Sequence, residues 1–226
     1  TAIYKGAVVA VKELKLDRDI PRASKIEMKK IKEIRHDNIN QFIGACIKHD
    51  SNIIYIVTEY CGKGSLEDVL DNSDVKLDSM FVSSLVFDLL AGLNYLHNSE
   101  LKFHGNLKSS NCLVTSRWVL KITDFGLHNF RARAASPLRE NMRHTHYRNQ
   151  LWRAPELLRD PNMTGNQKTD IYAFGIILHE ILGRCGPFGI DTTSMKPEDM
   201  VDSIKNPQAC NTTRFEMDMN QRWQSK

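Results

Sequence analysis

Long apolar runs are missing from this sequence of 226 residues. The longest runs, at residues 53–57 and 174–177, are far shorter than the roughly 20 apolar residues that a membrane-spanning helix needs. The chain also does not open with a charged segment followed by an apolar core, the pattern of a secretory signal. We therefore expect no membrane span within this sequence.

Cysteine is scarce as well. The five cysteines, at positions 46, 61, 112, 185 and 210, form neither a metal-binding spacing nor an even-numbered disulfide framework. Reduced thiols in a cytoplasmic protein are the expected state. The composition is that of an ordinary soluble globular protein, with 41% hydrophobic and 26% charged residues, and the length suits one or two domains.

Acidic residues are nearly absent from one segment, residues 125–153. Six arginines lie there against Glu140 alone, at positions 131, 133, 139, 143, 148 and 153. Such a basic segment attracts nucleic acid, a membrane surface or an acidic partner. No Phe, Trp or Tyr lies between Arg131 and Arg143 to stack on bases, so we expect no nucleic-acid binding and favour docking of an acidic partner.

The first 60 residues have the pattern of a small sheet with one helix. Residues 8–14 are β-branched and continuous, which predicts a buried strand, and residues 40–47 and 53–58 predict two more. Ser24 lies three residues before Glu27, a possible capping box that would open a helix running to about residue 35. The flexible stretch 61–64 contains two glycines and is the expected domain boundary.

The rest of the chain is predominantly helical in pattern. An apolar stripe predicts a buried helix over residues 79–98, and residues 168–182 are apolar nearly all round, which predicts a central helix. Two short strands are predicted at residues 112–115 and 118–123. Residues 206–226 carry no periodicity, so we expect a poorly ordered tail.

Between the two predicted helices lies His104-Gly105-Asn106-Leu107-Lys108-Ser109-Ser110-Asn111, followed by Asp124-Phe125-Gly126. These segments resemble the catalytic loop and the metal-binding turn of protein kinases. An ordinary kinase has arginine and aspartate where this chain has Gly105 and Asn106. An amide can orient a hydroxyl but cannot take its proton at neutral pH, so we expect no catalytic base at Asn106.

Other kinase signatures occur in the same order. Lys12 ends a Val-Ala-Val-Lys strand, and Glu27 lies nine residues before His36. In protein kinases the residues at these two positions form an ion pair that orients nucleotide phosphates. The plainer alternatives are that Lys12 only reaches solvent and that Glu27 only caps a helix. Asn111 and Asp124 would supply hard oxygen ligands for Mg²⁺.

Three further segments also resemble protein-kinase motifs. Ala154-Pro155-Glu156 resembles the motif that closes a kinase activation segment, while Asp170 and Phe174-Gly175 resemble the central helix of the larger lobe. The resemblance implies an α+β, bilobal fold. We expect a small β-rich N-lobe at residues 1–60, a mainly helical C-lobe at residues 61–205 and the tail at residues 206–226.

Several segments narrow the resemblance to the kinase-homology domain of receptor-type guanylyl cyclases. They are residues 42–46, 104–112, 119–127, 151–158 and 184–188. The resemblance implies a pseudokinase on the cytoplasmic face of the plasma membrane that binds ATP with Mg²⁺ and regulates an attached cyclase, which makes cyclic GMP from GTP. The cyclase domain of a parent receptor, or a second copy of the chain, is the implied partner.

The same resemblance implies roles for further residues in the nucleotide site. Thr58 falls at the gatekeeper position, Glu59 to Cys61 at the adenine-contacting hinge, Leu113 in the nucleotide-contacting set, and Lys108 faces the phosphates. The expected nucleotide-binding residues are therefore Lys12, Glu27, Thr58, Glu59, Cys61, Lys108, Asn111, Leu113 and Asp124, and the expected metal ligands are Asn111 and Asp124.

The chain also departs from the family pattern. Gly6 is the only glycine before Val8, so the glycine-rich roof over the phosphates is missing or lies outside this sequence. The last C-lobe helices and a cyclase domain also have no counterpart, so we expect a shortened form of the regulatory module that does not itself make cyclic GMP. The alternatives are a slow kinase and a nucleotide-free scaffold or truncated product. The slow kinase is an alternative because phosphoryl transfer depends mostly on positioning.

Overall fold

The computed structural model describes residues 1–15, 20–48, 53–127, 143–160, 162–192 and 195–206. The chain begins with a hairpin of strands β1 (Ala2–Tyr4) and β2 (Ala7–Lys15). Its two-residue turn is formed by Lys5 and Gly6, both with positive φ, at 49° and 80°. Positive φ at both central residues matches the right-handed twist of the two strands and closes the hairpin tightly.

The hairpin continues into an antiparallel four-stranded sheet in the order β1-β2-β4-β3. Strands β3 (Phe42–Lys48) and β4 (Ile53–Glu59) follow one another in sequence, and β4 lies beside β2. Lys12 is therefore opposite Ile56 at the centre of the sheet. The three predicted strands of this region are confirmed to within two residues at each end.

Helix α1 (Arg22–Glu33) packs beside this sheet, but it does not begin as expected. Pro21 occupies the N-cap position and gives no side-chain hydrogen bond to the helix. Because proline fixes φ near −65°, Pro21 starts the helix through its backbone alone. The predicted capping box of Ser24 and Glu27 is wrong: Ser24 is buried inside the helix, and the Glu27 carboxylate has a different partner, described below.

A capping box does form further along the chain, at a helix that the periodicity did not indicate. In helix α2 (Leu66–Asp71), Ser65 Oγ accepts a hydrogen bond from the backbone amide of Asp68. The Asp68 carboxylate in turn accepts one from the Ser65 amide. Two otherwise unpaired amides are thus satisfied, which supports a helix of only six residues.

Helix α3 (Ser79–Asn98) occupies the predicted residues and forms the centre of the C-lobe. By length and composition it could cross a bilayer, but Leu85, Leu89 and Leu96 on one face are buried in the core. Met80 and Phe87 on the other face are exposed. Its Gly92 permits a close approach, because a Cβ there would lie 2.7 Å from the carbonyl oxygen of Asn38.

The remaining elements surround α3. Strands β5 (Cys112–Val114) and β6 (Leu120–Ile122) form an antiparallel pair, as predicted but shorter. The predicted central helix appears as α6, one residue longer at each end. Among the described residues after β6, the α-helices are α4 (Arg143–Arg148), α5 (Pro155–Arg159), α6 (Gln167–Gly183) and α7 (Pro197–Lys205).

Backbone hydrogen bonds join the two halves of the fold. The Asn40 amide donates to the carbonyl of Ile122 over 2.8 Å, and the Ile122 amide donates to the carbonyl of Asn38 over 2.9 Å. The segment after α1 is therefore fixed to β6, which leads directly into Asp124. The α+β architecture expected of a kinase-like chain is confirmed. The expected tail lies almost wholly outside the described residues, as do three of the six arginines of the basic segment.

Candidate functional site

The loop at residues 104–108 is held in shape by one buried carboxylate from α6. Asp170, which is 2% exposed, accepts hydrogen bonds from the backbone amides of His104 at 2.6 Å and Gly105 at 2.8 Å. His97 Nε2 lies 2.9 Å from the same carboxylate. Three polar contacts offset the cost of burying this charge and fix the loop backbone at its first two residues.

His104 connects this loop to the turn that carries Asp124. Its Nδ1 accepts a hydrogen bond from the Asn106 amide at 3.1 Å, so the ring proton belongs on Nε2. From there it reaches the carbonyl oxygen of Thr123 at 2.9 Å. The fully buried ring is therefore neutral, and it ties the loop backbone to the residue immediately before Asp124.

Asn106 and Asn111 are brought together by this loop. The Asn111 side-chain nitrogen donates to the Asn106 carbonyl oxygen at 2.7 Å. That hydrogen bond orients the Asn111 amide and leaves its side-chain oxygen as the group suited to a cation. The Asn106 side chain is exposed, and it has no lone pair basic enough to accept a proton from a hydroxyl at neutral pH.

The turn of Asp124, Phe125 and Gly126 differs from the expectation in one respect. Lys12 Nζ contacts Asp124 Oδ2 directly, whereas the predicted ion pair between Lys12 and Glu27 is wrong for this structure. Glu27 Oε1 instead accepts a hydrogen bond from the Leu127 amide at 2.7 Å. Asp124 and Leu127 both have positive φ, at 60° and 53°, as does Gly126 at 65°.

Geometry explains the exchange of partners. Helix α1 places the Glu27 carboxylate against the turn itself, since a Cβ on Gly126 would lie 3.1 Å from Glu27 Oε1. The carboxylate therefore meets the backbone amide that follows Gly126 before it reaches Lys12. Lys12 then neutralises the nearest other carboxylate, that of Asp124. Exposures of 54% for Lys12 and 23% for Asp124 leave this pair accessible to solvent.

The hinge residues lie at the end of β4. The backbone amide of Glu59 donates to the Gln41 carbonyl at 2.9 Å, and its carboxylate pairs with Lys121 at 2.9 Å. Cys61 is buried, and burial raises the pKa of its thiol despite a hydrogen bond from Asn40. Thr58 lies opposite Ala10 in β2. The hinge backbone is thus anchored from both sides.

The two other predicted nucleotide residues have different surroundings. Leu113 lies in β5, half-buried and opposite Lys121 in β6. Lys108 Nζ donates to the side-chain oxygen of Asn149 at 2.8 Å. Asn149 is not part of any motif, and its sequence position gives no signal that it meets Lys108.

Sequence analysis also missed Glu180, a buried carboxylate below the loop. Its two oxygens accept hydrogen bonds from Ser109 Oγ at 2.9 Å and from Trp152 Nε1 at 2.6 Å. Burial raises the pKa of Glu180 to about 7, although both hydrogen bonds oppose that shift. A glutamate inside an otherwise apolar helix is the signal that could have revealed it, because unpaired buried carboxylates are very rare.

The donor set fits a magnesium-nucleotide ligand. Asn111 and Asp124 offer one amide oxygen and one carboxylate, the hard ligands that Mg²⁺ takes when substrate phosphates and water complete its shell. Within the described ranges no group of three or more His, Cys, Asp or Glu side chains is arranged to hold a metal unaided. A cation here would therefore depend on the phosphates it accompanies.

Comparison with known proteins agrees with this arrangement. The family profile of protein tyrosine and serine/threonine kinases matches residues 3–226. This chain belongs to the protein kinase family. Over 91% of its length it is 53% identical to the receptor-type guanylate cyclase Gyc76C of Drosophila melanogaster. It is 49% identical to the receptor-type guanylate cyclase gcy-28 of Caenorhabditis elegans over 92% of its length.

The human atrial natriuretic peptide receptor 2 is 46% identical over 92% of this chain. The resemblance to the kinase-homology region of receptor guanylate cyclases is thus confirmed. The chain spans only a small part of these relatives, 13% of the fly protein, 17% of the nematode protein and 20% of the human receptor.

Proposed function

We propose that this chain is an ATP-binding kinase-homology module without effective phosphotransferase activity, and that it regulates a guanylate cyclase joined to it. The similarity to three receptors named as guanylate cyclases or natriuretic peptide receptors supports the second part. Such a module lies on the cytoplasmic side of the plasma membrane. Its partners are then the cyclase domain of the same receptor and a second copy of the receptor chain.

One observation carries the first part of the proposal. Asn106 stands at the position of the catalytic base, while Lys12, Asn111 and Asp124 keep the groups that hold phosphate and metal. Loss of a general base commonly lowers a rate by about 10²- to 10⁴-fold. The amide at Asn106 does not alter the positive charge of Lys12, which complements the negative charge of a triphosphate.

The contact between Lys12 and Asp124 defines what nucleotide binding must change. Mg²⁺ with ATP would supply positive charge beside Asp124 and negative charge beside Lys12. Asp124 would then exchange the Lys12 ammonium for the cation, and Lys12 would exchange the Asp124 carboxylate for a phosphate. Because both are partly exposed, separating them costs about 1 kcal/mol or less.

Glu27 offers a route from this site to the rest of a receptor. Its carboxylate holds the Leu127 amide, directly after the turn that carries Asp124. A shift of Asp124 toward a bound cation would move this turn and, through Glu27, helix α1. Relative movement of α1 and the turn at residues 124–127 is the conformational signal that we propose the cyclase senses.

Calorimetric and thermal titrations with Mg²⁺ and ATP test the proposal. ATP at 100 times its dissociation constant stabilises a one-site protein by about 2.7 kcal/mol, which raises the unfolding temperature by several degrees. We expect Lys12→Ala to weaken binding by about tenfold or more, the value of a lost charge-assisted hydrogen bond. Lys30→Ala is the matched control, since Lys30 lies on α1 and pairs with exposed Glu100.

Two results contradict ATP binding at this site. One is that ATP neither stabilises nor binds the unchanged chain, and the other is that it has the same effect on Lys12→Ala as on the unchanged chain. The link to a cyclase has a separate test. In a full-length receptor related to this chain, the change equivalent to Lys12→Ala should abolish the effect of ATP on cyclic GMP production and leave the basal cyclase rate intact. An unaltered ATP effect there contradicts the regulatory part alone.

A further inference from the structure

A second concave site lies on the other side of the loop that contains Asn106. It is a cavity of about 400 Å³ formed by residues 105–108, 149–157 and 162–165 and the first turns of α6. Lys12, Asn111 and Asp124 do not line it, so it is distinct from the proposed nucleotide site. Its volume is in the range of sites that enclose a small ligand or one large side chain.

Two cationic side chains line this cavity, Lys108 and Arg153. Lys108 Nζ donates to the neutral amide of Asn149 at 2.8 Å. Packing around the guanidinium lowers the pKa of Arg153, and no carboxylate of the described residues pairs with it to counter that effect. An arginine that faces a cavity without an acidic partner keeps its planar set of donors available for an anion.

Negative charge is correspondingly sparse in the cavity wall. Of the described residues that line it, Asp170 has the sole carboxylate, and that group is buried and accepts from His104, Gly105 and His97. Those donors screen it from the cavity. The wall therefore presents positive charge on Lys108 and Arg153 together with neutral polar groups on Asn106, Asn149, Asn162 and Thr164.

One of the two substitutions that distinguish this loop from an ordinary kinase loop, the one at Asn106, favours an anion here. At Asn106 an amide donor replaces a carboxylate that would repel negative charge at short range. At Gly105, with φ of 72°, the arginine of an ordinary loop is replaced by a residue without a side chain, so the positive charge of the wall comes from Lys108 and Arg153. The amide at Asn106 thus both removes the catalytic base and removes a negative charge from this surface.

We propose that this cavity binds the phosphate of a phosphorylated serine or threonine side chain presented by a peptide segment. A phosphate monoester carries close to two negative charges and three acceptor oxygens, which suits two cations and several amide donors better than a single carboxylate does. The module would then read a phosphorylated segment on the face where an active kinase places its substrate. This inference is independent of ATP binding.

Fluorescence anisotropy with the 226-residue chain tests the inference. The probe is a labelled glycine-alanine peptide with one phosphoserine, and its matched control is the same peptide with serine. We expect saturable binding of the phosphopeptide alone, with competition by inorganic phosphate and weakening as salt rises. Arg153→Gln and Asn106→Asp should each lower the affinity by about tenfold, from one lost charged hydrogen bond and one added like charge respectively.

Arg159→Gln is the matched control for charge, because it removes the same charge from an exposed position on α5 outside the cavity, where the guanidinium contacts the Lys205 carbonyl. Its affinity should stay within twofold of the unchanged chain. Equal binding of the serine peptide, or equal losses in Arg153→Gln and Arg159→Gln, overturns the proposal. Asn106→Asp changes no side-chain volume, so it decides the matter if Arg153→Gln does not fold.

Discussion

Two aspartates lie close to the kinase-like loop, Asp170 on α6 and Asp124 in the turn after β6, and they have opposite environments. Asp170 is 2% exposed, and its oxygens are taken by the amides of His104 and Gly105 and by His97. Asp124 is 23% exposed and contacts the still more exposed Lys12. The first carboxylate determines the shape of the loop, whereas the second has a partner that a ligand can replace. The loss of the base at Asn106 therefore leaves both the scaffold and the phosphate-side charges in place.

Replacing Asp170 should have the largest effect on stability. Asp170→Ala leaves two buried amides and an imidazole without their acceptor, so we expect a loss of about 3–5 kcal/mol in the free energy of unfolding. Asp124→Ala should cost about 1 kcal/mol or less, because the contact it removes is partly solvated. Urea denaturation of both variants measures the difference. Similar losses in the two variants break the comparison.

Stability should also depend on pH through Glu180, which is 3% exposed. Burial raises its pKa to about 7 in the folded chain, from its ordinary value of 4.5. Below pH 4.5 both states are protonated, and as pH rises toward 7 only the unfolded state releases its proton. The contribution of Glu180 is therefore full at low pH and is lost as pH rises through 7, with a slope of up to about 1.4 kcal/mol per pH unit.

Glu180→Gln should remove this slope, while its amide oxygen can still accept from Trp152 Nε1 and its amide nitrogen can donate to the Ser109 hydroxyl. Denaturant unfolding between pH 4.5 and pH 7.5, repeated on the unchanged chain and the variant, gives the comparison. Parallel pH profiles for the two proteins are the contrary result. Parallel profiles would show that Glu180 adds no pH dependence to the free energy of unfolding, as is expected of a solvent-accessible carboxylate and not of a buried one.

A smaller effect is expected from Glu27, on the exchangeable side of the site. Glu27→Ala removes the acceptor for the Leu127 amide and should cost about 1 kcal/mol. Glu27→Gln retains an oxygen acceptor and should cost less than half as much. Chemical denaturation distinguishes them, and hydrogen exchange at the Leu127 amide should speed up in Glu27→Ala. An unchanged exchange rate at that amide contradicts the described contact.

Lys30→Ala should have the smallest effect of all. Lys30 and Glu100 are 49% and 75% exposed, so their contact across the lobes is worth about 0.5 kcal/mol or less. Raising the salt concentration should reduce even this difference. A loss above 1 kcal/mol in urea denaturation at moderate salt would show that exposed pairs also hold the two lobes together.

Prediction from sequence succeeded where one local pattern determines the structure. Helix α3 matches the predicted residues because its apolar stripe is uninterrupted, with Leu85, Leu89 and Leu93 all buried. Prediction failed at the start of α1, where Pro21 opens the helix without a side-chain cap. It also missed α2, whose capping box has aspartate in the place where the usual signal is glutamate or glutamine.

Within the site, residue types were predictable but partners were not. The motif spacing identified Lys12, Glu27 and Asp124, yet it assigned Lys12 to the wrong carboxylate, because the choice depends on where α1 lies relative to the turn at Gly126. The same limit applies to Asn149 and Glu180, which meet Lys108 and Ser109 only through the tertiary fold. Long-range pairs of this kind leave no periodic signal in a single sequence.

Equilibrium dialysis against ATP labelled on its γ-phosphate, in the presence of Mg²⁺, tests the central claim most directly. The account predicts that the unchanged chain retains label at saturable stoichiometry near one, that Lys12→Ala retains far less, and that the retained label is recovered as intact ATP. Label that is not retained contradicts nucleotide binding. Label that is recovered as phosphate or on protein shows that the loop still catalyses phosphoryl transfer despite Asn106.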